Sequence, residues 1–311
     1  MKPLLIILGP TASGKTHLAT RVADRIGGEI ISADSRQVYR NMDIGTGKDL
    51  DEYILDGKQI PYHLIDVVNA GEKYNVNEYH KDFKNAYESI TSRSNVPIVC
   101  GGTGFYMYSI MKGHAFSSIP VDEQLRAYLD LMTHDDLMQK FLSFSTVYQS
   151  IADTTTRKRL IRAIEISKYL TDNPRLDHNI FQNSTEYQSV VFGLDPAVPL
   201  RRERISARLK YRLENGLIEE VRDLLKSGLT ADQLIYYGLE YKFVTMFISG
   251  EMNYVDMCQR LESEIHRFAK RQMTFFRKME KDGIEINWLN TDISVSEQVE
   301  IITNKYQAIH S

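Results

Sequence analysis

The apolar positions of the chain follow two spacings in turn, and these predict alternating strands and helices. Uninterrupted apolar runs at Leu4 to Leu8 and Val96 to Cys100 are typical of strands buried on both faces. Residues 15–26 and 76–91 instead repeat apolar side chains every three or four positions, which is the period of an amphipathic helix. Strands that alternate with helices predict an α/β protein with a parallel sheet and right-handed crossover connections.

The pattern changes near residue 115. Residues 122–187 show helical periodicity and little strand signal, and Ser189 to Leu194 then has the pattern of another strand. After Pro199 the chain is mainly helical, and a last strand is predicted near residues 284–289. The simplest interpretation is an α/β core at residues 1–114 and 188–311, interrupted by a helical insertion at residues 115–187.

Composition narrows the class of protein. The chain has 311 residues, of which 42% are hydrophobic and 25% charged, as is ordinary for a globular protein. Its formal net charge of −3 means that any contact with nucleic acid must come from local basic patches. Two cysteines, Cys100 and Cys258, exclude a disulfide scaffold and a four-cysteine zinc site. With no leader-like segment and no apolar run near the ~20 residues that cross a bilayer, a cytoplasmic protein is expected.

The first predicted strand leads into a segment with the pattern G-x-x-x-x-G-K-[ST]. Its residues are Gly9, Pro10, Thr11, Ala12, Ser13, Gly14, Lys15 and Thr16. Between a strand and a helix, this pattern predicts a phosphate-binding loop, because its backbone N–H groups and the helix N-terminus favour an anion. Lys15 is predicted to reach a phosphate and Thr16 to ligate Mg²⁺. The loop alone does not tell whether the phosphate belongs to a nucleotide.

Three further polar residues follow predicted strands. Ligands of open α/β sheets bind beyond the carboxyl ends of the strands, so the loop, Asp34 and Thr103 are predicted to converge on one edge. Asp34 could accept a proton or bind Mg²⁺, or could simply stabilise a turn. Thr103 lies among glycines and could contact a ligand or a helix start. Asp66, near the end of an apolar run at His63 to Val67, has the position of a Walker B carboxylate, which would favour a kinase or NTPase.

Two segments are locally basic. The first has five basic residues within a dozen positions, namely Arg157, Lys158, Arg159, Arg162 and Lys168. These residues could form a solvated face or could contact RNA. In a later helix, Arg267, Lys270 or Arg271, Thr274 and Arg277 recur at steps of three or four and share one face. The opposite face is predicted to meet the core and comprises Leu261, Ile265, Phe268, Gln272, Phe275 and Met279. A row of arginines can bind phosphates or an RNA backbone, so RNA is a candidate ligand.

In their order along the chain, these motifs resemble one family, the tRNA dimethylallyltransferases, in its bacterial form. The resemblance rests on residues 9–16, Ser32 to Tyr39, Met42 to Thr46, Tyr62 to Asp66, Gly101 to Tyr106 and Arg267 to Thr274. It implies a P-loop NTPase-like core that transfers a dimethylallyl group from dimethylallyl diphosphate to N6 of the adenosine 3′ of the anticodon, in tRNAs that read codons beginning with U. The P-loop would then hold the diphosphate leaving group, with Mg²⁺, and a monomer is expected. The match at Tyr62 to Asp66 weakens the Walker B interpretation.

The resemblance also implies roles for individual residues. Asp34 resembles the general base, Thr103 a residue placed against the amine or the diphosphate, and Arg222 an arginine that holds the diphosphate. The insertion is expected to hold the anticodon stem-loop. Expected tRNA contacts are Ser35, Arg36, Gln37, Arg126, Lys158, Arg159, Leu160, Ile161, Arg162, Arg267, Lys270, Arg271, Gln272 and Thr274.

Two motifs depart from the family pattern. Asp153 to Arg157 stands where relatives carry a His-Pro-Asn-Asp-like segment. Glu240 stands where relatives carry a basic residue, at an expected tRNA contact. These departures keep open a tRNA-binding paralogue without catalysis, although Lys15, Asp34 and Thr103 argue against it. An adenylate isopentenyltransferase or P-loop kinase acting on free nucleotide is the other alternative, but AMP requires neither an insertion nor a basic helix.

Overall fold

In this computed structural model, the structure describes residues 3–113, 116, 119–150, 152–174 and 187–309. The chain divides into two compact units, one formed by Met1–Tyr108 with Tyr187–Ser311 and the other by Ser109–Glu186. The first unit holds all the strands of the described chain. The second is helical where it is described, and residues 115, 117, 118, 151 and 175–186 of the predicted insertion lie outside the described residues.

The first unit is built on a six-stranded sheet in which every recorded strand pair is parallel, in the order β10-β9-β1-β8-β2-β6. The strands are β1 Leu4–Leu8, β2 Gly28–Ser32, β3 Tyr39–Arg40, β4 Ile54–Leu55, β5 Lys58–Gln59, β6 Tyr62–His63, β7 Val68–Asn69, β8 Val96–Gly101, β9 Ser189–Leu194 and β10 Ile286–Leu289. The predicted α/β class with a P-loop NTPase-like core is confirmed. Strand β1 is central in the sheet, between β8 and β9, and helices such as α1 pack on the sheet, so β1 is buried throughout, which explains its unbroken apolar run.

The helices have the periodicity that the sequence predicts. They are α1 Lys15–Ile26, α2 Val76–Ser92, α3 Gly104–Lys112, α4 Glu123–Leu129, α5 His134–Leu142, α6 Arg157–Asp172, α7 Val198–Glu214, α8 Leu217–Lys226, α9 Ala231–Tyr236, α10 Leu239–Ile248, α11 Tyr254–Lys281 and α12 Val295–Ala308. None of these helices is long and apolar enough to span a membrane, a statement that covers the described part of the chain.

Each unit has its own apolar core. In the first unit, α1 places Leu18 and Val22 against Leu5, Ile98 and Phe192 of the sheet. In the second unit, side chains at helical spacing on α4, α5 and α6 meet in one cluster. That cluster contains Leu129, Leu137, Phe141, Leu160, Ile161, Ala163 and Ile164. The helical stripes of the sequence are therefore buried faces.

The predicted strand from His63 to Val67 is wrong. Strand β6 ends at His63, and Leu64 and Asp66 adopt positive φ angles of 62° and 57°, which a strand does not allow. The chain then pairs again as β7, beside β3. The reason is a tertiary contact, because Asp66 accepts a hydrogen bond from the buried ammonium of Lys48.

Candidate active site

The P-loop presents an open helix N-terminus. Gly14 has a φ of 85°, a left-handed value that suits glycine, and α1 begins at the next residue. No side chain caps α1, so no capping side chain accepts a hydrogen bond from the first N–H groups of this helix. They border a cavity of about 950 Å³ that Thr11 to Thr16 line. These donors and the helix dipole favour an anion at this position.

Lys15 adds a positive charge to the same wall of the cavity. Its ammonium donates to the backbone carbonyl of Pro10 at 3.3 Å. Burial lowers the pKa of Lys15, and the nearby Cys100 and Asp34 oppose that shift. A phosphate beside this ammonium would favour its charged form. The site therefore fits an anionic ligand better than a neutral one.

Asp34 and Thr103 meet at the carboxyl ends of adjacent strands. The backbone N–H of Ser35 donates to Thr103 Oγ1 at 3.1 Å, and the N–H of Arg36 donates to Asp34 Oδ1 at 2.9 Å. This approach requires Gly101, since a Cβ there would lie 2.2 Å from the carbonyl oxygen of Ala33. Both Asp34 and Thr103 line the same cavity as the P-loop, so the predicted convergence on one edge of the sheet is confirmed.

Gln272 joins the P-loop to the loop of Thr103. Its Oε1 accepts from the N–H of Thr11 at 2.9 Å, and its Nε2 donates to the carbonyl of Gly102 at 2.9 Å. The side chain is buried, and it is a polar residue on the face of α11 that sequence analysis assigned to the core. Its amide is thus occupied within the protein, and an RNA contact at Gln272 stays a prediction.

The segment from Met42 to Lys48 is held by two charged side chains. The carboxylate of Glu220 accepts from the N–H groups of Asp43, Ile44 and Gly45 at 2.8, 2.7 and 3.0 Å. The buried ammonium of Lys48 donates to the carbonyl of Tyr39 at 2.8 Å and to two carboxylates. One of these is Asp66, which lies outside the residues that line the cavity. Its pairing with Lys48 gives no support to a Walker B role.

The predicted site arginine Arg222 does not line the cavity. It is exposed on α8 and pairs with Glu219 at 3.2 Å. The arginines that do line the cavity are Arg204, Arg208 and Arg212 of α7 and Arg271 of α11, together with Arg36. The arginines of α7 recur at steps of four, so their shared face was a signal that sequence analysis missed.

Arg208 is one of these arginines, and together with Arg212 it borders Thr11 and Ala12 of the P-loop. Its Nη2 donates to the carbonyl of Gly47 at 3.3 Å, and its guanidinium pairs with Asp49. Its positive charge acts on Lys15 and contributes to the lowered pKa of that residue. Lys15 and Arg208 thus both line the cavity and lie close enough for their charges to interact.

Glu240 also lines this cavity. Its carboxylate is 3.8 Å from the guanidinium of Arg212, and both side chains are largely buried. Burial raises the pKa of Glu240, and Arg212 opposes that shift. Glu240, which stands where a basic residue was expected, therefore forms an ion pair with Arg212.

In the second unit, several expected RNA contacts have structural partners. The guanidinium of Arg126 binds the buried carboxylate of Glu165 at 2.8 and 2.9 Å, and Arg162 approaches the same carboxylate at 3.3 Å. Leu160 and Ile161 were expected to contact tRNA, but both lie in the core of this unit, which is incompatible with that role. Lys158 is exposed, and Arg159 pairs with Asp153 at 2.9 Å.

The predicted basic face of α11 is exposed, and one residue of the face that was predicted to meet the core is exposed as well. Arg267, Lys270, Arg271 and Thr274 are exposed, and Arg267 pairs with Glu264 at 2.5 Å. Phe268 was predicted to face the core, but 42% of its surface is exposed and it lines the cavity. Phe268 is therefore part of the cavity wall and not of the apolar core.

Comparison with known proteins shows similarity along nearly the whole chain. Residues 37–279 match the family model described as IPP transferase. The chain is 47% identical over 302 residues to tRNA dimethylallyltransferase 2 of Bacteroides fragilis, with 97% of each chain covered. It is 49% identical over 287 residues to tRNA dimethylallyltransferase 1 of Azobacteroides pseudotrichonymphae, with 92% of each covered.

Solved structures give the same result. The structure is similar to a tRNA delta(2)-isopentenylpyrophosphate transferase from Staphylococcus epidermidis, with a TM-score of 0.69, 29% identity and 99% of both chains covered. A eukaryotic dimethylallyltransferase acting on tRNA shares the fold at 22% identity, with a TM-score of 0.81 over 99% of this chain and 80% of that one.

Proposed function

The chain belongs to the IPP transferase family of tRNA dimethylallyltransferases, and on that basis we propose the reaction that it catalyses. It transfers the dimethylallyl group of dimethylallyl diphosphate to N6 of the adenosine 3′ of the anticodon, in tRNAs that read codons beginning with U. The observation that carries the proposal is one cavity in which an uncapped helix N-terminus and Lys15 face Asp34 and Thr103. That cavity combines a site for a diphosphate with a base for an amine.

The diphosphate is assigned to the P-loop side of the cavity. Negative charge grows on the diphosphate as its bond to C1 of the allyl group breaks, so donors aimed at it stabilise the transition state. Lys15 and the N–H groups of the loop supply them. Arg208 takes the role that the resemblance had assigned to Arg222, because it borders the same region.

The acceptor amine is assigned to the side of Asp34. N6 forms a bond to C1, the C1–O bond breaks with its electron pair on the diphosphate, and a proton leaves N6 for the carboxylate of Asp34. Asp34 suits this role because its carboxylate is half-buried in the same cavity as the P-loop, where it can accept a proton from a bound amine. Thr103 already accepts from the N–H of Ser35, so its own hydroxyl hydrogen can be donated to the amine or the diphosphate.

The residues at the P-loop fit a magnesium ion that is bound together with the diphosphate. No group of three His, Cys, Asp or Glu residues in the described chain could hold a metal by itself. Mg²⁺ commonly keeps several waters and binds one or two protein oxygens together with substrate phosphates. Thr16 would supply such an oxygen from the cavity wall, and the ion would neutralise charge on the leaving group.

The acceptor is proposed to be RNA rather than free nucleotide. The relatives named as tRNA dimethylallyltransferases match 92% to 98% of the chain, and that share includes most of the helical second unit. One exposed basic residue of α11, Arg271, lines the cavity and could contact an RNA strand that enters it. We further propose that the enzyme is a monomer, that it works in the cytoplasm and that it needs no membrane partner.

The proposal is tested by incubating the protein with Mg²⁺, dimethylallyl diphosphate and an anticodon stem-loop that contains consecutive adenosines. Mass spectrometry of the digested nucleosides should reveal N6-dimethylallyladenosine. A parallel reaction with AMP should give no product, and product from AMP alone would favour the free-nucleotide enzyme. RNA binding without any product would instead identify a binding paralogue.

A further inference from the structure

An exposed tyrosine lies beside the loop that carries the proposed catalytic base. Tyr236 is the last residue of α9, and 62% of its surface is exposed. The guanidinium carbon of Arg36 lies 5.3 Å from the centre of its ring. Arg36 also lines the cavity and is two residues from Asp34. A single exposed tyrosine is ordinary, but this ring is stacked with a cation that lines the cavity, and the residues on either side of Tyr236 line it too.

The position of this ring is held by buried neighbours. The next residue, Tyr237, is 3% exposed, and its hydroxyl accepts from the N–H of Gly71 at 2.5 Å. The ring of Tyr237 packs edge-on against buried Tyr39 at 4.6 Å and lies 5.9 Å from the ring of Tyr236. The backbone that carries Tyr236 is therefore anchored, although its ring is not buried. A fixed and exposed aromatic ring loses little freedom when a flat partner stacks on it.

From this arrangement we propose that Tyr236 and Arg36 form a stacking site for the nucleobase adjacent to the target adenosine. The inference rests on the proposed function and adds a subsite to it. An adenosine whose N6 reaches Asp34 must leave the stack of its loop, and its neighbours in the RNA are then unstacked on one side. Aromatic rings and arginine planes are the groups that protein surfaces use to stack such bases. A base on the open face of Tyr236 continues the stack that begins at Arg36.

The ligand of this site is a nucleobase in single-stranded RNA, and any of the four bases would fit. Every base has a flat face, so stacking on Tyr236 selects for an open loop rather than for a sequence. The guanidinium of Arg36 can in addition contact a phosphate of the same strand. The site thus favours a target adenosine in an anticodon loop over an adenosine inside a helix.

A double-mutant cycle between ring and base tests this site. Binding of a fluorescent anticodon stem-loop is measured by anisotropy for the wild-type protein and for Tyr236→Ala. The same titrations are repeated with stem-loops that have an abasic residue on the 5′ or the 3′ side of the target. Tyr236→Ala should weaken binding of the intact RNA by about 5- to 100-fold, as expected for one base–aromatic stack. On one of the two abasic RNAs, Tyr236→Ala and the wild type should bind equally.

Matched variants separate stacking from other effects. Tyr236→Phe keeps the ring and should bind within about 2-fold of the wild type, a change at the level of ordinary surface substitutions. Tyr211→Ala removes a similarly exposed tyrosine on α7 that is not stacked with Arg36, and this variant should also bind normally. In the transfer reaction, Tyr236→Ala should raise the KM for RNA and leave the KM for dimethylallyl diphosphate unchanged.

The outcomes distinguish this inference from the proposed function. If Tyr236→Ala weakens binding equally for the intact and both abasic RNAs, or does not weaken it, the stacking site is wrong. A wild-type protein that still modifies the stem-loop would in that case leave the proposed function intact. If the wild type neither binds nor modifies the stem-loop, both are overturned. The same cycle can be measured with Phe268→Ala. Coupling to an abasic position for Phe268→Ala and not for Tyr236→Ala would place the stacked base on α11 and would overturn the site at Tyr236.

Discussion

The backbone N–H of Thr11 donates to Oε1 of Gln272 at 2.9 Å, although 261 positions separate the two residues in sequence. Through its Nε2, the same side chain holds the loop that precedes Thr103. One buried amide therefore sets the distance between the proposed diphosphate site and the proposed amine site. No local interaction within the P-loop could do so.

Gln272→Glu is expected to disturb this bridge without changing its size. A carboxylate keeps an acceptor for Thr11 but has no N–H for the carbonyl of Gly102, so two acceptors face each other. The loss should be about 1–3 kcal/mol of unfolding free energy, with a raised KM for dimethylallyl diphosphate. Urea unfolding and steady-state kinetics measure the two effects. Thr274→Ala, on the exposed face of the same helix, is the control, and equal unfolding of both variants would argue against the bridge.

Asp34→Asn is expected to separate turnover from binding. The asparagine keeps an oxygen that can accept from the N–H of Arg36, so the loop should be retained. It cannot take a proton from N6, and loss of a general base lowers the rate by about 10²- to 10⁴-fold. RNA affinity, measured by anisotropy, should remain within about 2-fold. If kcat and affinity fell equally, Asp34 would be a binding residue.

Arg208→Ala is expected to affect dimethylallyl diphosphate far more than Arg222→Ala does. Hydrogen bonds to charged groups contribute about 1.5–3 kcal/mol, which corresponds to about a 10- to 100-fold rise in KM for the diphosphate. Arg222 is exposed and outside the cavity lining, so its substitution should change KM by less than about 2-fold. The reverse order would restore the assignment that the sequence resemblance suggested.

Glu220→Gln is expected to loosen the segment from Met42 to Lys48. The carboxylate of Glu220 accepts from backbone N–H groups of this segment and from the hydroxyl of Tyr241. In a glutamine one of the two acceptor oxygens is replaced by an NH₂ group, so donors face a donor. The unfolding temperature should fall by about 3–6 °C, given ~2–4 °C per kcal/mol for a domain of this size. Glu219→Gln, at the adjacent exposed position, serves as the control. Calorimetry that found the two variants equal would show that the carboxylate does not hold this segment.

The stability of the protein should depend on pH through Glu29. Burial alone would raise the pKa of this carboxylate, but the hydrogen bonds that it accepts from Arg93, Asn95 and His63 outweigh burial and lower its pKa to about 2. A depressed folded-state pKa stabilises the fold above the unfolded-state pKa near 4.5, and this contribution is lost as pH falls toward 2. The urea midpoint of the wild type should therefore exceed that of Glu29→Gln clearly at pH 7 and by much less at pH 3. A difference that is constant with pH would contradict this origin.

Local patterns in the sequence predicted the elements that local physics controls. The apolar run of β1 follows from burial on both faces, and Gly14 of the P-loop follows from the left-handed backbone angle of the turn. The rule that ligands bind beyond strand ends was enough to bring Asp34 and Thr103 to the P-loop. Where a partner came from far along the chain, the same patterns failed, as Asp66 shows by pairing with Lys48.

By itself, then, the sequence determined the parallel α/β core, the phosphate loop and the family. Only the tertiary structure decided which arginines line the cavity, because α7 and α8 both carry arginines and their orientation depends on the packing of α7 against α11 and of α8 against α7 and α10. It also decided that Leu160 and Ile161 are core residues, that Phe268 leaves the core face, and that Gln272 joins two loops. Helical spacing states which side chains share a face, but contacts with distant segments determine what that face meets.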